Sequence, residues 1–180
     1  MQALARLGLG AALLAALVER APAQVPAPSP AAPPTADQAR GQERAAILSV
    51  QTVLLAGRTY AASNGGLFDQ LRCFGEPWSC IPGYPQDGSS FLDPTYDWLQ
   101  PRLGYSRAFH PGPAATPDEI ARAKASPSSL KAFAYTATPL RQDQGQRGLC
   151  GDSKGRLCMT TDGSEPPVKN GLCDPCRKLE

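Results

Sequence analysis

From residue 37 to residue 62 the chain carries no proline, although 19 prolines are spread through the rest of it. In "DQARGQERAAILSVQTVLLAGRTYAAS", Ile47, Val50, Leu54, Gly57 and Ala61 recur at spacings of three and four, with Val53 and Tyr60 beside them. Glu43, Arg44, Ser49, Gln51, Thr52 and Arg58 fall mainly elsewhere around the helical wheel. That period predicts one long amphipathic helix over Asp37 to Ala62, ended by the glycines of "NGG" at 64–66. A helix with a single apolar stripe cannot stand alone, so the rest of the chain must supply a surface to cover it.

The second half encodes such a surface. "GYSRAFH" (104–110) and "KAFAYTAT" (131–138) alternate aromatic with small or polar residues, which lets Tyr105, Phe109, Phe133 and Tyr135 share one buried face of a sheet. Between them, Thr116, Pro117 and Glu119 read as N-cap, first helical position and capping-box partner of a short helix ending before Pro127. Residues 148–161 supply two more strands around Ser153-Lys154-Gly155, and everything after Asp162-Gly163 reads as loop. The fold class expected is therefore α+β: one long N-terminal helix on an antiparallel sheet of about four strands, with a loop-rich C-terminus.

Residues 67–102 are broken by prolines and glycines, with short helical stretches expected at Leu67 to Leu71 and Leu92 to Leu99. They read as an excursion between helix and sheet, with Trp78 and Trp98 covering its apolar underside.

The chain starts "MQALARLGLGAALLAALVERAPAQ". One arginine, an apolar run from Leu7 to Val18 and the small-x-small triplet Ala21-Pro22-Ala23 predict an export signal over 1–23. Twelve apolar residues rise only about 18 Å as a helix, against roughly 30 Å of hydrocarbon, so no membrane span is expected after cleavage. Residues 24–38, which include "QVPAPSPAAPPTA", have the composition of an extended polyproline spacer. The folded domain is then expected over 39–180, in a bacterial protein that is secreted or periplasmic.

Six cysteines in an exported chain predict three disulfides. The near-neighbour pairing is Cys73 with Cys80, Cys150 with Cys158 and Cys173 with Cys176. If Gly155 takes the left-handed position of a three-residue hairpin loop, Cys150 directly faces Cys158, at a separation that a small pinch would close. "CDPC" at 173–176 also has the spacing of a dithiol redox motif, but no helix follows it, and a local staple or a cross-link to another loop is the structural alternative.

Other chemistry is thinly represented. A formal charge of +2 gives no footprint for nucleic acid. His110 is the only histidine, at an expected strand end, and serine or cysteine catalysis with a histidine base would have to use it. No catalytic residues and no cofactor site are expected.

Four segments in order resemble the globular part of type IV pilins and type II secretion pseudopilins. They are "AILSVQTVLLAGRTYAASNGGLFDQL", "LGYSRAF", "FAYTATPL" with its Ala137-x-Pro139 ending, and "GQRGLCGDSKGRLCMTTDG" with its Asp-x-x-Gly turn, together spanning about residues 40–163. The family's N-terminal polymerisation helix has no counterpart here, where an export signal and prolines stand instead. The resemblance implies a pilin-like binding or assembly protein, accessory to a pilus or type II secretion system, with protein partners. Its working surface is expected on the excursion from Cys73 to Tyr96 and the C-terminal loop from Asp162 to Cys176. The resembled pseudopilins include calcium binders in their C-terminal loops, which makes Asp152, Asp162 and Glu165 a candidate calcium set; ordinary turn-forming side chains are the alternative. The competing function is an extracytoplasmic thiol-disulfide protein using Cys173 and Cys176, or an envelope protein with no machine partner.

Overall fold

The computed structural model describes residues 34–142 and 146–179. The expected signal and most of the expected spacer lie outside these residues. The first helix, α1, spans Ala36–Ser63, so residues 36–38, expected in the spacer, form its first turn. The reason is local: the Thr35 hydroxyl accepts from the Gln38 amide and the Gln38 side chain accepts from the Thr35 amide, a reciprocal cap that fixes the helix start. At the other end Gly66 donates to the Ala61 carbonyl, with Gly65 and Gly66 both at positive φ. Val50, Val53, Leu54, Gly57 and Tyr60 are buried as the period predicts, while Leu48 and Leu55 stay exposed.

Four strands, β1 (Tyr105–Pro111), β2 (Phe133–Pro139), β3 (Gly148–Asp152) and β4 (Leu157–Thr160), form an antiparallel sheet in chain order. The helix lies against β2 and β3, and two missing side chains let it approach. A Cβ on Gly57 would come 2.5 Å from the Phe133 ring, and one on Gly151 would come 2.5 Å from Val50 Cγ1. Around these contacts Phe109 stacks on Phe133 at 5.4 Å, and Phe74 meets Phe133 edge-on at 5.4 Å.

The short helix falls where its cap predicted it: α3 covers Pro117–Ala123 with Thr116 and Glu119 in a capping box. The excursion differs from expectation. Its helix, α2, is Leu71–Gly75, followed by a 3-10 turn at Pro77–Ser79, because Phe68 is held by a two-way backbone pairing with Leu130. Residues 92–99 form turns rather than a helix. Asp93 Oδ1 accepts from the Thr95 amide and hydroxyl, and Asp97 Oδ1 accepts from the Leu99 and Gln100 amides, so these side chains take donors that a helix would need. Trp98 packs partly against the core, and Trp78 is half-buried.

The largest departure is the C-terminus, expected as loop. Strands β5 (Val168–Lys169) and β6 (Leu172–Cys173) pair across Asn170-Gly171, both at positive φ, the backbone that a two-residue hairpin turn requires. Beyond them Arg177 accepts from Met159 and Leu179 donates to Leu157, which lays the chain end along the β4 edge. This segment covers the sheet face opposite α1. Its coverage explains why β3 is buried at every position and β2 at nearly every one, where a half-exposed strand would alternate. The small residues Ala134, Thr136 and Cys150 lie beneath that second layer.

Candidate functional site

Three disulfides form among the described residues, but only one of them is a predicted pair. Cys73 bonds Cys80 as expected, closing α2 onto the 3-10 turn. Gly155 has φ +78° and Cys150 is in register with Cys158, as the hairpin geometry predicts. Their sulfurs nonetheless diverge: Cys150 bonds Cys173 and Cys158 bonds Cys176. The near-neighbour pairing of these four cysteines is therefore corrected, and its cause is the second layer. Cysteines on adjacent strands sit about 4.8 Å apart across the sheet, and a Cys-x-x-Cys segment lying over them presents one partner to each. The described residues contain no free cysteine, and Cys173 and Cys176 are not a dithiol pair with one another.

Asp152 is fully buried at the end of β3. Its carboxylate accepts from the amides of Lys154 (3.1 Å), Arg156 (3.2 Å) and Cys173 (3.2 Å), and from Arg156 Nε at 2.8 Å. The Arg156 Nη2 lies 2.6 Å from the same oxygen. One buried charge thus shapes the hairpin tip and ties β6 to it, with enough donors to offset its desolvation. Asp162 is instead turned onto its own loop, where the Ser164 hydroxyl and amide donate to it and hold its carboxyl below the usual range. Glu165 lies 3.8 Å from His110 Nε2. The structure does not bring Asp152, Asp162 and Glu165 together: among the described residues, the only converging group of three such ligand types is Asp69, Cys73 and Cys80, whose two sulfurs are bonded to each other.

His110 is half-buried on β1 with Nε2 2.8 Å from the Thr136 hydroxyl of β2. Burial lowers its pKa, and the Glu165 carboxylate pulls the other way. Thr136 is itself buried, so the pair offers no reachable nucleophile.

The excursion encloses a cavity of about 210 Å³ between α2 and residues 92–99. Gly75 and Leu92 are its buried floor, and Leu71, Tyr96, Trp98 and Leu99 are its walls. Arg72, Glu76, Asp93 and Asp97 form the rim. The walls are fixed from several sides. The amides of Phe91 and Leu92 donate to the Phe74 carbonyl, Trp98 Nε1 donates to Asp93 O at 3.2 Å, and the Tyr135 hydroxyl donates to the Trp98 carbonyl. Beneath them lies Arg107, 8% exposed on β1, whose Nη1 reaches the Tyr96 hydroxyl and the Gln100 carbonyl, both at 3.3 Å. Sequence reading did not single out Arg107, because a charged residue on an edge strand ordinarily faces water.

No protein-family model, curated protein or solved structure was found to match the chain.

Proposed function

We propose that this is an exported, disulfide-stabilised binding or assembly protein of pilin-like architecture, accessory to a pilus or type II secretion system. The observation that carries the reading is the succession of parts: a long helix first in the chain, an antiparallel sheet in the order β1-β2-β3-β4 behind it, and a C-terminal segment clamped to the outer face by two disulfides. The helix followed by the antiparallel sheet is the order the family resemblance implies over residues 40–163, and the clamped C-terminal segment is an addition to it. Among the described residues no helix is long and apolar enough to cross a membrane, and three disulfides are compatible with an oxidising compartment. The working surface in this reading is the stapled excursion, whose cavity is flanked by the Cys73–Cys80 cross-link and fixed by hydrogen bonds and so binds with little loss of ordering entropy.

Two measurements test the proposal. Residues 1–40 fused to a reporter enzyme that needs disulfides for activity should yield active enzyme in the periplasm, and a reporter retained in the cytoplasm contradicts export. In envelopes of the native host, cross-linking of the tagged protein should yield pilus or secretion-system components; their absence among the linked proteins contradicts the accessory role.

A further inference from the structure

We infer that the excursion cavity is a socket for one basic side chain, lysine or arginine, presented by a protein partner. The inference rests on the binding role proposed above and assigns its chemistry.

Three features select this occupant. The first is size: about 210 Å³ admits one long side chain with its solvent and little more. The second is the wall. The Tyr96 and Trp98 rings lie 4.5 Å apart with Leu71 and Leu99 beside them, a surface suited to an alkyl stem and to a cation over an aromatic face. This aromatic pair already takes one cation from within the chain, since the Arg102 guanidinium sits 4.2 Å from the Tyr96 centroid. Trp98 lines the cavity, whereas neither Arg102 nor Arg107 does.

The third feature is the rim. Among the lining residues Glu76, Asp93 and Asp97 outnumber Arg72, while Arg102 and Arg107 stand at Tyr96 outside the lining. Asp93 and Asp97 each use Oδ1 on their own turns, which fixes the carboxylates in place. The Thr95 donors also hold Asp93 ionised to lower pH than an ordinary aspartate. An acidic ligand would meet three carboxylates, whereas a neutral apolar one would leave them without a counter-charge.

The test is titration of the ¹⁵N-labelled, disulfide-intact protein with four blocked tripeptides, Gly-Lys-Gly, Gly-Arg-Gly, Gly-norleucine-Gly and Gly-Pro-Gly, followed by amide and indole shifts. The lysine and arginine peptides should move the Trp98 indole and the amides of Gly75 and Asp97 in a saturable way. They should bind about 2- to 5-fold more tightly than norleucine, the size of one cation-aromatic contact. Trp98→Ala should abolish the response, and Asp93→Asn with Asp97→Asn should erase the preference for the charged peptides. In the second variant the unchanged spectrum of the β-sheet serves as the folding control. Equal binding of norleucine, preferred binding of proline, or no saturable shift would overturn the assignment. Such failure is separable from failure of the accessory role, which partner cross-linking reads independently.

Discussion

Cys150 stands directly opposite Cys158 across the last hairpin, and yet each is bonded to a different residue of the overlying C-terminal segment. The two bonds close stretches with sequence separations of 23 and 18 and fasten a second layer to a sheet that would otherwise expose that face. Replacing Cys158 and Cys176 together with serine should destabilise the fold by about 2 to 5 kcal/mol. Urea unfolding compared with the parent protein checks this, and an unchanged midpoint would show that the layer holds without its rivet.

Asp152 is the polar counterpart of those rivets. Asp152→Ala would leave the Arg156 guanidinium and the buried Cys173 amide without their acceptor. The expected loss is about 3 kcal/mol, with increased amide exchange at residues 168–173 before the rest of the sheet. Loss of less than about 1 kcal/mol would contradict the anchoring role.

Gly57→Ala sets two effects against each other. In a helix interior alanine gains about 1 kcal/mol over glycine. Here the new methyl group meets the Phe133 ring at 2.5 Å, and overpacking of a dense core costs about 1 to 3 kcal/mol. The clash should win, so that the variant unfolds at lower urea. A stabilised variant would mean that α1 does not lie this close to β2.

The burial of His110 should give the fold a pH dependence whose sign can be worked out. Burial lowers its folded pKa beneath the unfolded value of about 6.5, so the unfolded chain binds the proton more readily. The contribution is intact above that pH and is lost as pH falls through it. His110→Gln should therefore flatten the decline of stability between pH 7.5 and 5.5. Glu165→Gln, which removes the carboxylate opposing the shift, should steepen it. Identical profiles for all three proteins would refute the assignment.

Local signals account for the parts of this fold that were legible in the sequence. The period of α1, the Thr116-Pro117-Glu119 start of α3 and the shared face of the β1 and β2 aromatics act within a few residues, and the structure follows them. The Gly155 turn and the facing of Cys150 with Cys158 were also readable from spacing. The sulfur partners were not, because they depend on a layer that arrives from residues 168–179. One signal for that layer was present: Asn170-Gly171 between Lys169 and Leu172 is a strong hairpin turn sequence. Its two flanking strands are only two residues each, too short to show a period among the prolines and acidic residues around them. The excursion was illegible for a related reason. Its turns are set by Asp93 and Asp97 capping their own backbone, and its cavity by contacts between α2 and a loop some twenty residues later. Of the candidate calcium residues, Asp152 reads in sequence as one more turn aspartate, and only burial reveals it as a structural charge.

The cysteines of this protein are structural clamps: one closes the excursion and two fasten the C-terminal layer to the sheet. Peptide mapping of the native protein without reduction, with free thiols blocked beforehand, tests this role directly. No thiol should be blocked, and cross-linked peptides should join Cys73 to Cys80, Cys150 to Cys173 and Cys158 to Cys176. A Cys173–Cys176 bond, or free thiols at those two positions that cycle with a reductant, would contradict it and favour the competing redox function.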